Sequence, residues 1–177
     1  MDQRIQTMLD HFEIREVIEA YVDGCDRADR DAVADCYHED SWDNHGPITG
    51  PGHQFATDCV NSLLQYWKTC THVLGQSRIR VTGDTAGAET YYYASLTRDE
   101  DGREMLDQQV GRYVDWFERR DGVWRIKDRR CIQEWAATFP ITASYVDTAP
   151  FLHGMRSSED ISYEVLGLQQ GRTRIVR

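Results

Sequence analysis

A chain of 177 residues with 40% hydrophobic and 11% aromatic content can bury one sizeable core and reads as one domain over 1–177. Its formal charge of -10 and pI near 5.0 speak against a nucleic-acid partner, because phosphate backbones are held by Lys and Arg. No apolar run approaches the roughly 20 residues of a bilayer-spanning helix, and Met1-Asp2-Gln3-Arg4 opens no signal-peptide pattern, so the expectation is a soluble, cytoplasmic protein with no membrane partner.

Apolar positions recur every three or four residues through Ile5, Met8, Leu9, Phe12, Ile14, Val17, Ile18, Tyr21 and Val22, which predicts an amphipathic helix ending near Gly24. A second helix is expected from about Asp29 to Tyr37, forming a hairpin with Asp26 at the joint. Ser41 to Gly46 reads as a short extended segment, closed by the breakers Gly46-Pro47 and Gly50-Pro51-Gly52. Helical period returns from His53 to Trp67.

From residue 71 the pattern changes to strands. Val73 to Val81 alternates, and Thr82-Gly83-Asp84 turns the chain into Ala86 to Leu96, where Ala86, Ala88, Thr90, Tyr92, Ala94 and Leu96 share one face. Met105 to Glu118 and Val123 to Trp135 are two further strands, joined at Arg120-Asp121-Gly122, a hairpin signal. On the last strand, strict alternation sets Arg129 on a face with Arg125, Lys127, Cys131, Gln133 and Trp135. A helix hairpin, a strand, a helix and four antiparallel strands read as α+β, a curved sheet wrapped around helices. From Pro140 the chain reads as loops laid over apolar surface, with a helical turn or two between Ser158 and Leu168.

Five cysteines are scattered without a C-x-x-C pair and read as buried thiols in a reducing compartment. His38, His45 and His53 lie near Glu39, Asp40 and Asp43 but match no ligand spacing, so no metal is expected. The sequence holds no G-x-S-x-G, Walker A or dinucleotide fingerprint, and no cofactor is expected.

Three islands carry chemistry. They are Tyr21 with Asp26 in Y-x-x-x-x-D, Thr71-His72 followed by Gly75, and Glu118-Arg119-Arg120-Asp121-Gly122-Val123-Trp124 followed by Arg129. Together they resemble the SnoaL-like branch of the cone-shaped NTF2-like superfamily, over roughly residues 8 to 140. Within it the chain is similar to the lyase group that includes hexachlorocyclohexane dehydrochlorinase, scytalone dehydratase and bile acid 7α-dehydratase. The resemblance implies a curved sheet and helices enclosing a largely apolar pocket.

A histidine titrates near neutral pH, and a buried carboxylate on its other ring nitrogen fixes the tautomer and stabilises the imidazolium. Asp26 and His72 would form that pair. Tyr21 and Arg129 would stabilise or protonate developing charge in a low-dielectric cavity. The sum is a cofactor-independent β-elimination, a dehydratase-like lyase acting on a small, largely apolar cyclic or aromatic substrate, with Trp42, Tyr92 and Gln133 as candidate substrate-binding side chains.

Each residue has a structural alternative: Asp26 as a helix-end cap, His72 as a satisfied core histidine, Tyr21 as packing, Arg129 in a salt bridge. The whole-protein alternatives are a non-catalytic binding protein, an assembly subunit like the β subunit of ring-hydroxylating dioxygenases, and an isomerase or hydrolase using the same dyad. Tyr91, Tyr93, Val110, Val114 and Trp116 are expected on the outer sheet face, too apolar for comfortable exposure. A homo-oligomer follows; the resemblance favours a trimer over a dimer.

Overall fold

Asp2 starts the first helix, its carboxylate accepting from the backbone N–H of Arg4 at 2.8 Å and satisfying one donor that a helix start leaves open. In this computed structural model, which describes residues 2–142, 149–170 and 175, α1 spans Gln3–Asp26 and α2 spans Arg30–Asp35. Asp26 is therefore the last residue of α1, two past Gly24. Asp29 caps α2 by accepting from Ala32 N–H at 3.1 Å. A Cβ on Gly24 would lie 2.8 Å from Val33 Cγ2, so glycine there lets the hairpin close.

The remaining elements are β1 (Tyr37–Asn44), β2 (Thr49–Pro51), α3 (Gly52–Tyr66), β3 (Thr69–Thr82), β4 (Thr85–Glu100), β5 (Arg103–Arg120), β6 (Val123–Pro140) and α4 (Ile161–Leu166). The sheet has six strands in the order β2-β1-β6-β5-β4-β3 rather than four. β1 pairs parallel with β6, the other neighbours antiparallel. Three facts hid β1. Its inward positions include the polar Ser41 and Asp43, so no apolar alternation marks it. Its partner β6 is distant in sequence, with Asp43 opposite Arg129. It also begins at Tyr37, which cuts short the second helix expected to reach that residue.

β4 behaves as its alternation predicts: Ala86, Ala88, Thr90, Tyr92, Ala94 and Leu96 all face inward, none more than 6% exposed. β6 does not. Trp116 pairs with Asp128 and Phe117 with Ile126, leaving Lys127 as an extra residue; lower down, Val110 pairs with Trp135 and Gly111 with Gln133, leaving Glu134 extra. Each bulge shifts the side-chain phase by one. Arg129 and Cys131 thus face the core while Arg125 and Lys127 do not, which corrects the single face expected for this strand. The hairpin before it is as expected, with Asp121 and Gly122 both at positive φ (51° and 79°) in a two-residue turn.

α1 lies against β3 and β6, and α3 against β1 and α2, filling the concave side. Ile14, Val17 and Ile18 are 0% exposed, and burying side chains of this size stabilises by roughly 1.5–3 kcal/mol each. Asp10 of α1, 3% exposed, accepts from Arg119 Nη1 at 2.6 Å and Trp124 Nε1 at 3.3 Å, with the guanidinium 5.0 Å from the Trp124 ring. The Glu118–Trp124 signature is thus a clamp between the β5–β6 hairpin and the helix. The first turns of α1 differ from expectation: Ile5, Met8, Leu9 and Phe12 are 41–72% exposed.

The tail docks on the helix layer. Arg156 Nη1 donates to the carbonyls of Leu63 (2.9 Å) and Trp67 (3.0 Å) at the end of α3, and Tyr163 donates to Asp29 at 3.1 Å. α4 is the helical turn expected between Ser158 and Leu168. The expectation for the whole run from Pro140 includes 143–148, which lie outside the described residues. Among the described residues, no helix is long and apolar enough to cross a membrane.

Candidate active site

The helices and the concave sheet face enclose a cavity of about 300 Å³, lined mostly by apolar and aromatic side chains. His72 on β3 enters it from one side of the sheet. Its Nδ1 lies 2.7 Å from Asp26 Oδ1, and its backbone N–H donates to Asp26 Oδ2 at 2.9 Å. One carboxylate thus holds both the ring and the strand that carries it. With Asp26 on Nδ1, the proton sits there and the Nε2 lone pair is the free one, without a hydrogen-bond partner among the described residues. The two side chains are 10% and 13% exposed, so the pair is only lightly wetted.

Tyr92 on β4 and Tyr113 on β5 stack with ring centroids 4.5 Å apart, and form the wall beside His72, whose ring is 6.3 Å from that of Tyr92. Glycine at 111 makes the stack possible, since a Cβ there would lie 2.8 Å from the Tyr92 hydroxyl. Tyr21 of α1 also lines the cavity, 2% exposed, and burial holds its phenol well above the usual range.

Arg129 is close by but not on the cavity surface. It is 0% exposed, donates through Nε and Nη2 to Asp115 at 2.7 and 2.8 Å, and stacks between Tyr21 (4.1 Å) and Tyr113 (4.3 Å). Its partner is a buried carboxylate rather than the acidic surface, and it reaches the cavity only through the two phenol rings. Burial pushes Asp115 above its ordinary value even against the pull of Arg129.

Two expected substrate-binding residues sit elsewhere. Trp42 is 47% exposed and lies on the outer face in one row with Asp128 and Trp116, because alternation along β1 turns its neighbour Asp43 inward. Gln133 is exposed at the edge of the site. It donates to the carbonyls of Val110 (3.3 Å) and Trp135 (2.7 Å) and accepts from the Tyr92 hydroxyl at 3.5 Å, bracing Tyr92 rather than lining the cavity. Tyr92 does line it.

Sequence reasoning missed a second imidazole. His45, just past the end of β1, lines the cavity and places Nδ1 2.5 Å from Asp43 Oδ1, with Nε2 3.3 Å from the Tyr21 hydroxyl. Asp43 is 0% exposed and also accepts from the Tyr37 hydroxyl at 2.5 Å. Burial works against a charged ring, but the bonds to Asp43 and Cys131 outweigh it and push His45 up to about 10. The Cys131 thiol is opposed by burial, yet His45 and the Tyr92 hydroxyl leave it below its ordinary value. The D-x-H spacing of Asp43 and His45 was the available signal, since residues two apart share a strand face. Both residues lie in the segment read as extended from Ser41 to Gly46, but nothing in the sequence placed that segment beside β6 and the cavity.

The three histidines considered for metal binding diverge. His38 Nε2 meets the Glu118 carbonyl (2.9 Å), His53 Nε2 the Tyr37 carbonyl (3.2 Å), and His45 the Asp43 carboxylate. Among the described residues, Asp26, Cys70 and His72 do bring ligand atoms within 4.8 Å of one another. Both Asp26 oxygens are already engaged by His72, and burial pushes the Cys70 thiol far up, away from the thiolate a metal would need. The donor set fits a dyad better than a metal centre. All five cysteines are free.

Among solved structures, hexachlorocyclohexane dehydrochlorinase LinA type 2 superposes with a TM-score of 0.69 at 19% identity, covering 80% of this chain and 95% of that one. A protein named for scytalone dehydratase from Novosphingobium aromaticivorans gives 0.69 at 15% identity over the same shares, 80% and 95%. One named for an aromatic ring hydroxylase from the same organism gives 0.65 at 22%, covering 76% and 94%. At these identities the likeness is one of fold. A search of curated proteins for sequence relatives found no match. The SnoaL-like domain matches residues 6–130, well over half of the chain. With that match, and with the helix-filled curved sheet around the cavity, the chain belongs to the SnoaL-like family.

Proposed function

We propose that this protein is a cofactor-independent lyase, a dehydratase-like enzyme in which His72 removes a proton from a carbon of a small, largely apolar cyclic or aromatic substrate. The observation that carries the reading is the Asp26–His72 dyad opening its free Nε2 onto an apolar cavity of about 300 Å³. Asp26 fixes the tautomer and stabilises the imidazolium as it forms. Tyr21, backed by the Arg129 guanidinium at 4.1 Å from its ring, is the phenol placed to meet developing negative charge. Tyr92 supplies a flat wall for a ring, and Gln133 holds Tyr92 in place.

The similar structures named for a dehydrochlorinase and a scytalone dehydratase support an elimination on this fold. A non-catalytic binding protein or assembly subunit would need neither a dyad within hydrogen-bond reach nor a cavity opening on it. The five free thiols, of which Cys25, Cys36 and Cys70 are buried and Cys59 and Cys131 only partly so, favour a reducing, cytoplasmic setting. Val73, Tyr93, Trp116 and Trp135 on the outer sheet face are 43–62% exposed, which supports burial against further copies of the chain.

The test is proton exchange. In D₂O, wild-type protein should exchange the α-protons of a cyclic ketone and eliminate its β-substituent; His72→Ala should lower both rates about 10²–10⁴-fold with an unchanged circular dichroism spectrum. Rates within a few-fold of wild type would remove His72 from the mechanism.

A further inference from the structure

The cavity is served by two histidine–carboxylate pairs, and the elimination above uses only one. β3 and β1 lie at opposite sides of the sheet, separated by β4, β5 and β6, so His72 and His45 enter from opposite flanks with the Tyr92–Tyr113 stack on the strands between them. His45 is 5.9 Å from the Tyr113 ring on its side, as His72 is 6.3 Å from Tyr92 on the other. A base and an acid on opposite flanks suit an anti elimination across adjacent carbons of one small substrate.

The groups around His45 favour its imidazolium form. From β1 it meets Asp43, from β5 Tyr113 and Asp115, from β6 Cys131, from α1 Tyr21 and Cys25, and from α3 only the Phe55 ring, stacked at 4.7 Å. Asp43, Asp115 and Arg129 are each no more than 1% exposed. With Asp115 ionised in its two-bond pair with Arg129, two buried carboxylates against one guanidinium leave one uncompensated negative charge, which such an interior tolerates badly. An imidazolium at His45 closes the balance.

We propose that His45 is the second proton-transfer residue of this cavity: held as an imidazolium by Asp43, it protonates the departing oxygen, which assigns the substrate class to β-hydroxy carbonyl compounds. The inference rests on the elimination proposed above. A carbonyl suits this pair of groups because it acidifies the neighbouring C–H enough for a neutral imidazole to take the proton while hydroxide, a poor leaving group, departs. His72 Nε2 forms the new N–H bond with the α-proton, and the C–H electron pair becomes the C=C π bond. The C–O bond at the β-carbon breaks with its pair on oxygen; that oxygen takes the Nε2 proton of His45 and leaves as water. One proton lost to solvent from His72 and one regained by His45 restore the starting state. The Nε2–Tyr21 contact of 3.3 Å is long for a hydrogen bond, so a substrate oxygen can compete for that proton. A halide needs no such donor; hydroxide, a poor leaving group, does.

Two measurements test this. Long-range ¹H–¹⁵N spectra at pH 7.5, assigned with His45→Gln and His72→Gln, should show both ring nitrogens of His45 protonated and only one of His72. A neutral His45 overturns the proposal without reference to any substrate. In the second, elimination from 3-hydroxycyclohexanone and 3-chlorocyclohexanone is followed above the buffer rate. His45→Gln should slow the hydroxy probe about 10²–10³-fold while leaving the chloro probe within a few-fold, and His72→Gln should slow both. Equal losses on both probes in His45→Gln, or none, overturn the role of His45 while leaving that of His72 standing. Indifference of both probes to His72→Gln, or a wild type that accelerates neither, overturns the elimination and the assigned substrate class together.

Discussion

Asp26→Asn changes one charge and one acceptor with almost no change of shape, and its effect can be worked out from the two bonds it disturbs. Asp26 accepts from His72 twice, from Nδ1 at 2.7 Å and from the backbone N–H at 2.9 Å. An amide offers one acceptor oxygen and one NH₂. Turning the oxygen to Nδ1 sets NH₂ against the backbone N–H, and a buried donor left without an acceptor costs about 1–3 kcal/mol. Keeping the oxygen on the backbone sets NH₂ against Nδ1, which the ring meets by moving its proton to Nε2. The second arrangement satisfies every group, so it prevails. It also places a proton where the cavity needs a lone pair. Turnover should therefore fall roughly 10²–10⁴-fold, while stability falls by only about 1–2 kcal/mol as a charge-assisted bond becomes a neutral one. Steady-state elimination, urea unfolding and ¹⁵N spectra of the imidazole measure the three effects. Turnover within a few-fold of wild type, with Nε2 protonated, would refute the assignment of His72 as the base.

Arg129→Ala leaves Asp115 buried and unpaired, so urea unfolding should show a loss of about 3–5 kcal/mol; a loss under about 1 kcal/mol would show that the pair is dispensable. Activity should survive exhaustive chelation without added nucleotide, and a loss restored by one metal ion would instead point to the Asp26–Cys70–His72 cluster. The protein should sediment as a homo-oligomer, preferably a trimer, of its 20.5 kDa chain, and Trp116→Glu should yield a folded monomer; a single 20.5 kDa species for the wild type at micromolar concentration would refute the assembly.

Legibility in the sequence followed the regularity of the strands. β4 is unbroken opposite β5, and its inward face, Tyr92 included, could be written down from alternation alone. The hairpin at Asp121-Gly122 was equally plain, because few residues other than Asn, Asp and Gly accept positive φ there. Asp26 and His72 were visible as residue types at a helix end and a strand start, though only the resemblance to a family joined them across 46 positions. The other flank of the cavity was illegible for physical reasons. β1 carries buried polar groups where a strand pattern requires apolar ones, and one of them, Asp43, holds the His45 that lines the cavity. β6 hides its contribution differently: the extra Lys127 turns Arg129 and Cys131 inward, out of phase with Arg125. Without that bulge Arg129 would follow Arg125 outward, Asp115 would lose its partner, and Tyr21 and Tyr113 would lose the cation between them. The positions where periodicity fails are therefore those where the strands depart from regular geometry to bring charge into an apolar interior. A site of this kind is expected to disagree with the pattern that builds its scaffold.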